Sequence, residues 1–149
     1  MVILVKKLIF LALIYHFYYF FRSKFCDFEE NVYLCDSNIS HAGGSADIHV
    51  TSDGRFLYAS HRLQGDGISI YQIDPQTGLP QRIGYQLTGV HPRNFTLSPS
   101  ERFLLVACRD SNRIQILERD AQTGLLRDTG RYIDTPKPMF VKFLKRVAN

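Results

Sequence analysis

Cysteine is scarce: Cys26, Cys35 and Cys108 are the only three, and no pair has the Cys-x-x-Cys spacing. One thiol is left over in any disulfide scheme and no paired thiolates are offered to zinc, so neither a disulfide framework nor a cysteine-based metal site is expected. Cys108 ends the apolar run Phe103 to Ala107, where a small buried thiol is the plain reading. Concentrated charge is missing too. Lys and Arg total 18 against 14 Asp and Glu, for a net +4. Residues 1–44 balance (Lys6, Lys7, Arg22 and Lys24 against Asp27, Glu29, Glu30 and Asp36), and the remaining basic residues never form a run. Without a basic stripe to follow a phosphate backbone, nucleic acid is not an expected partner. A chain of 149 residues, 45% hydrophobic and 21% charged, has the composition of one globular domain and no more.

No hydrophobic run reaches bilayer length. Lys6 and Lys7 precede fourteen uncharged residues, Leu8 to Phe21, whereas a spanning helix needs about 20 apolar residues. The run resembles the core of a signal peptide, but it is crowded with Tyr15, Phe17, Tyr18, Tyr19, Phe20 and Phe21, contains His16, and lacks a small-x-small cleavage site. Residues 1–42 therefore read as a leader or spacer, either signal-like or foreign to the fold that follows. Membrane contact, if made, is expected only through this segment.

What the chain does contain is a repeat. Ser45 to Arg62 aligns with Pro92 to Arg109, sharing Arg55/Arg102, Phe56/Phe103, Leu57/Leu104 and Arg62/Arg109. Gly67 to Gly84 aligns with Arg113 to Gly130, where Ile68, Ile70, Asp74, Gln76, Thr77, Gly78, Leu79 and Gly84 all recur. A third copy opens at Pro138, with Val141 and Phe143 in the places of Phe95 and Leu97.

Each copy predicts four short strands. Ala46 to Val50 alternates polar and apolar, Asp53-Gly54 turns the chain, and Arg55 to Ser60 is a Phe/Leu/Tyr run. Gly67 to Ile73 alternates again, Asp74 to Gly78 is a tight connection, and a fourth strand follows near Gln81 to Tyr85. The second copy predicts strands at Asn94–Leu97, Arg102–Ala107, Arg113–Arg119 and Arg127–Tyr132, and no helical period occurs after residue 45. Four strands in a period of about 46 residues mark a blade of a β-propeller. The expected fold is all-β: a partial propeller over 43–149, with four-stranded antiparallel blades at 45–90 and 91–136 and one extra strand at 138–144. Blades bury their faces against neighbours, so unpaired faces and edges here predict self-association.

The phrases Gly44-Ser45-Ala46-Asp47-Ile48-His49-Val50 and Ser52-Asp53-Gly54-Arg55-Phe56-Leu57-Tyr58-Ala59-Ser60-His61-Arg62, followed by Pro92-Arg93-Asn94-Phe95 and Pro138 to Phe143, resemble the late blades of the propeller-type 6-phosphogluconolactonase family. The strand pair around Asp53 to Tyr71 alone fits a YVTN-type or WD-like propeller equally well; the Ala-Asp-Ile-His and Pro-Arg-Asn-Phe phrases narrow it. The resemblance implies a seven-bladed propeller hydrolysing 6-phosphogluconolactone in the pentose phosphate pathway, in the cytoplasm, with a sugar-phosphate lactone as its small-molecule partner and no metal or redox cofactor. Seven blades of this period need roughly 320 residues, so the resemblance implies a C-terminal fragment.

Ring opening of a lactone requires an activated water, a group to hold the oxyanion, and cations for the phosphate. With a period of two, Asp47 and His49 share one side of the inner strand, and Asn94 and Thr96 repeat those positions in the next blade. His49 and Asp47 are the candidate catalytic residues, the imidazole as proton carrier. Arg62, Arg93 and Asn94 are the candidate substrate and phosphate contacts, since guanidinium groups suit bidentate binding of phosphate. The competing role for each is structural: Asp47 and His49 satisfying backbone groups between blades, the arginines forming ion pairs. Arg109 departs from the family pattern and reads as surface or loop, and His61, His91, Asp53 and Asp74 read as turn residues. The resemblance also implies acid/base residues in a Pro-Arg-His phrase and an Asn-Glu phrase of earlier blades. Neither phrase is present, so the expected state of this chain alone is catalytic silence. The alternative is a non-catalytic YVTN-type module for protein interaction, exported or membrane-associated through residues 1–21.

Overall fold

The computed structural model describes residues 44–63 and 65–144. The segment read as leader or spacer, 1–42, lies outside them. Every element described is a strand: β1 Gly44–Val50, β2 Phe56–Arg62, β3 Gly67–Ile73, β4 Pro80–Leu87, β5 Pro92–Leu97, β6 Phe103–Cys108, β7 Arg113–Arg119 and β8 Leu126–Asp134. They form two separate four-stranded sheets, ordered β1-β2-β3-β4 and β5-β6-β7-β8, antiparallel throughout. These are the two blades the repeat predicts.

The repeated residues build repeated turns. Asp74 Oδ1 accepts the N–H groups of Gln76 and Thr77 at 2.7 and 2.9 Å, and the Gly78 N–H closes on the Asp74 carbonyl at 2.8 Å. Asp120 does the same with Gln122, Thr123 and Gly124 at 2.7, 2.9 and 2.9 Å. Both carboxyls sit below their ordinary value because these backbone N–H groups, Thr77 and Thr123 foremost, favour the charged form. The carboxylate replaces a missing strand partner, which is why Asp opens both connections.

The faces of the two sheets meet in one core. Phe56, Tyr58, Ile68 and Ile70 of the first pack with Phe95, Leu104, Val106, Cys108, Leu117 and Leu126 of the second, all buried. Each of the Phe, Ile, Leu and Val side chains among them is worth roughly 1.5–3 kcal/mol of hydrophobic transfer. Cys108 is a free, fully buried thiol, and burial pushes its pKa up. At the end of the sheets carrying the Thr51–Arg55 turn, polar contacts join the sheets: the Ser52 N–H donates to Glu101 Oε1 at 2.7 Å, Arg55 Nη2 to the Gln122 carbonyl at 3.0 Å, and the buried Tyr58 hydroxyl to the Gly124 carbonyl at 2.7 Å.

Two expectations are corrected. Residues 138–144 form no strand, because a strand needs a ladder partner and none of the described residues pairs with them. Among the described residues the segment is instead tied to the second sheet by the Val141 N–H donating to Asn94 Oδ1 at 2.8 Å. His61 is no turn residue: it lies within β2, half-buried, its Nε2 2.9 Å from the Ser69 hydroxyl. Burial, with the nearby Arg82 charge, lowers its pKa.

Candidate functional site

The inner strands β1 and β5 each carry a bulge, between Ser45 and Ile48 and between Pro92 and Asn94. A bulge inserts an unpaired residue and re-aims its neighbours. In β1 it lets the Asp47 N–H reach the Ser60 hydroxyl at 3.0 Å. The carboxylate then turns toward the second sheet, where Oδ2 accepts from Asn94 Nδ2 at 2.5 Å and from the Phe95 N–H at 3.1 Å. His49 Nε2 lies 3.2 Å from the same oxygen. Burial pushes the Asp47 carboxyl up, but the bonds from His49, Phe95 and Ile48 and the His49 charge outweigh it and hold the group below its ordinary value. An ionised carboxylate so fully bonded is a poor proton acceptor. Asp47 is placed as a clasp between sheets.

His49 is placed differently. Its ring meets Phe95 edge-on at 4.8 Å between centroids, and its side chain is 37% exposed. A carboxylate only accepts, so with a neutral ring Nε2 carries the proton toward Asp47 and Nδ1 keeps its lone pair. Among the described residues nothing bonds to Nδ1. Asn94 is used on both sides, donating to Asp47 and accepting from Val141. Of the three inner-strand candidates only His49 has an unused polar atom.

The arginines sit at the other end of the inner strands. Arg62 closes β2 opposite Gly44. Glycine there leaves room for the guanidinium, since a Cβ on Gly44 would come within 3.0 Å of Arg62 Nε. That Nε is buried with no hydrogen-bond partner, and Nη1 lies 3.3 Å from His91 Nε2. Arg93 is the extra residue of the β5 bulge, half-buried, and its guanidinium makes no hydrogen bond or ion pair among the described residues. Arg62 closes β2 and Arg93 opens β5, and guanidinium donors without protein acceptors suit a phosphate or carboxylate. His49 pairs with Tyr58, four residues before Arg62 on β2, so the imidazole and that end are about 13 Å apart along the strand.

Sequence reasoning missed His91 and Asp110. His91 Nδ1 is 2.8 Å from Asp110 Oδ2, the His91 N–H donates to Asp66 Oδ1 at 3.0 Å, and its carbonyl accepts from the Arg109 N–H at 3.1 Å. Arg109, read as loop, pairs with Asp110 Oδ1 at 3.0 Å. The signal in the sequence is thin: a His before Pro92-Arg93 and an Arg-Asp pair after β6 have no spacing that marks them as partners. Two grooves are lined by other residues than Arg62, His91 and Arg93. One, lined by Arg113, Gln115, Asp128 and Tyr132, lies between the outer strands; the other, lined by Leu105, Ile116 and Phe143, lies on the far face of the second sheet. The strand ends carrying Arg62 and Arg93 are marked by their chemistry rather than by concavity. Among the described residues no three His, Cys, Asp or Glu side chains are grouped to hold a metal ion.

Two four-stranded meanders stacked face to face, clasped through their inner strands and carrying cations at one end of those strands, are adjacent blades of a β-propeller of the lactonase type. Comparison with known proteins agrees: the family model described as "Lactonase, 7-bladed beta-propeller" matches residues 23–143, and the chain belongs to that family. The match includes part of the segment 1–42. A 6-phosphogluconolactonase of Formosa agariphila is 51% identical over 85 residues, 56% of this chain and 24% of the relative. A solved structure from Bacteroides fragilis, described as a 6-phosphogluconolactonase, superposes with TM-score 0.67 at 53% identity, covering 68% of this chain and 29% of that one. The periplasmic gluconolactonase of Pseudomonas aeruginosa superposes with TM-score 0.70 at 27% identity over 75% of this chain and 31% of its own. The chain thus spans roughly a quarter to a third of the length of these relatives.

Proposed function

We propose that this chain supplies the phosphate-holding wall of a 6-phosphogluconolactonase, which hydrolyses 6-phosphogluconolactone to 6-phosphogluconate in the pentose phosphate pathway. The observation that carries this reading is the pair of guanidinium groups at the end of the inner strands, Arg62 fixed through Nη1 with Nη2 taken by no acceptor, and Arg93 with no partner, among the described residues. Arg62 and Arg93 take the phosphate. The lactone carbonyl then points along the strand toward His49, whose free Nδ1 accepts a proton from the attacking water. Asp47 holds the His49 tautomer and Asn94 holds Asp47. The similarity to relatives named for this substrate supports the same assignment.

The chain alone does not turn over. The described glutamates are committed elsewhere, Glu101 to the Ser52 N–H and Arg119 and Glu118 to Arg102 and Arg127. That leaves His49 without a second acid/base partner for the leaving ring oxygen. The exposed Phe140, Phe143, Ile133 and Tyr132 favour self-association through the second sheet, and a phosphorylated substrate favours a cytoplasmic location. The test is hydrolysis of 6-phosphogluconolactone by the purified chain, alongside calorimetric binding of 6-phosphogluconate. Binding with hydrolysis at the spontaneous rate is expected. Turnover well above that rate contradicts the silence, and absence of binding contradicts the phosphate wall.

A further inference from the structure

We propose that Asp110 and His91 are positioning residues that aim Arg62 at a phosphate monoester through a two-step hydrogen-bond relay; this rests on the phosphate-wall reading above. Hydrogen-bond polarity fixes the direction of the relay. A guanidinium only donates, so His91 Nε2, 3.3 Å from Arg62 Nη1, is the acceptor. A carboxylate only accepts, so Nδ1, 2.8 Å from Asp110 Oδ2, carries the proton. In this arrangement the imidazole donates from Nδ1 and accepts at Nε2. Asp110 selects that tautomer, as a carboxylate does for a histidine acting on a metal or substrate.

Each member is itself anchored. Arg109 Nη1 holds the other carboxylate oxygen of Asp110 at 3.0 Å. His91 has a left-handed backbone (φ 61°), with its N–H fixed by Asp66 and its carbonyl by Arg109. Its side chain is only 14% exposed. On the opposite side a Cβ at residue 44 would come within 3.0 Å of Arg62 Nε, so the glycine there leaves the guanidinium room. Nη2 makes no hydrogen bond among the described residues, so the guanidinium is oriented at one end and open at the other. The relay also crosses the blade boundary: Arg62 and Asp66 belong to the first sheet and its β2–β3 loop, while His91, Arg109 and Asp110 flank β5 and β6. A terminal phosphate bound by Arg62 and Arg93 therefore reads the relative placement of two blades, and an unphosphorylated sugar acid gains nothing from it.

The test uses the full chain. Imidazole ¹⁵N spectra are expected to show His91 as the neutral tautomer protonated on Nδ1, with that population falling in Asp110→Asn. In calorimetry with 6-phosphogluconate, gluconate and inorganic phosphate as probes, His91→Phe is expected to weaken 6-phosphogluconate about tenfold, the scale of one misaimed charge-assisted bond, and to leave gluconate unchanged. His91→Gln restores most of the affinity, since its amide oxygen accepts from Arg62 while its NH₂ donates to Asp110. The positive φ strains Phe at this position, so the spectra of the unaltered chain stand as an independent check. An Nε2-protonated His91, or equal 6-phosphogluconate affinity in His91→Phe and the unaltered chain, overturns the relay and leaves the phosphate wall standing. Failure of the unaltered chain to bind 6-phosphogluconate overturns the wall and the relay together.

Discussion

The carboxylate of Asp47 accepts the backbone N–H of Phe95 on the neighbouring sheet at 3.1 Å. One repeat later, Asn94 accepts the backbone N–H of Val141 at 2.8 Å. The same junction is therefore made twice, by an acid and by its amide. An inner-strand N–H beside the bulge would otherwise lose its ladder partner inside the interface, and an unmet buried donor costs about 1–3 kcal/mol. This places Asp47 on the link from packing to stability before any role in chemistry.

Asp47→Ala is expected to lower unfolding stability by about 1–3 kcal/mol, read as the shift in urea midpoint at unchanged slope. Asp47→Asn is expected to lower it less, because the second repeat already uses Asn94 in this place. The folded Asp47 carboxyl lies below its ordinary 3.8. Its contribution is therefore fully present above that value and lost as pH falls through the lowered folded value. Acid titration of the Asn variant should show a correspondingly smaller loss over that window.

Gly78 and Gly124 hold equivalent turns with φ of 71° and 73°, yet their surroundings differ. A Cβ on Gly78 meets nothing within 4 Å, whereas on Gly124 it would come within 2.3 Å of the Phe56 ring on the other sheet. Gly78→Ala should cost only the left-handed backbone penalty, about 1–2 kcal/mol. Gly124→Ala should cost several kcal/mol, because the ring of Phe56 must move within a packed core. Equal losses for the two would mean that the sheets do not meet as described.

Removal of the Tyr58 hydroxyl, which donates to the Gly124 carbonyl at 2.7 Å, should cost about 1 kcal/mol in Tyr58→Phe. Burial, the main cause, pushes the phenol up to about 12 despite the opposing charge of Arg119. One tyrosine should accordingly stay protonated in a spectrophotometric titration beyond the range where exposed tyrosines ionise, and Tyr58→Phe should remove it.

The strands and blades were legible because their signals are local. Asp74 to Leu79 and Asp120 to Leu125 announce the same turn by composition, and Ile68, Ile70, Ile114 and Ile116 mark the same strands. Of the candidate site, the inner-strand polarity of Asp47, His49 and Asn94 and the cationic ends at Arg62 and Arg93 were also readable. The partnership of His91 with Arg62 and Asp110 was not. It depends on a left-handed residue at 91 and on a loop after β6 arriving beside the previous blade, contacts separated by 29 and 19 positions in the chain that no periodicity encodes. Asp47 read as a catalytic candidate because parity shows which side a group occupies and not what already occupies its lone pairs.

Arg93→Gln is expected to weaken 6-phosphogluconate about tenfold, as measured by calorimetry, while Arg102→Gln should leave it unchanged. Arg102 is already paired with Glu118 at 3.0 Å, at the opposite end of the second sheet.

The most direct measurement is a backbone and arginine side-chain NMR titration of the whole chain with 6-phosphogluconate. Shifts concentrated at Arg62, His91 and Arg93, with Arg102 and Glu118 still, are the expected result. Shifts centred on the outer-strand groove at Arg113 and Tyr132, or none at all, would contradict a phosphate wall at the end of the inner strands.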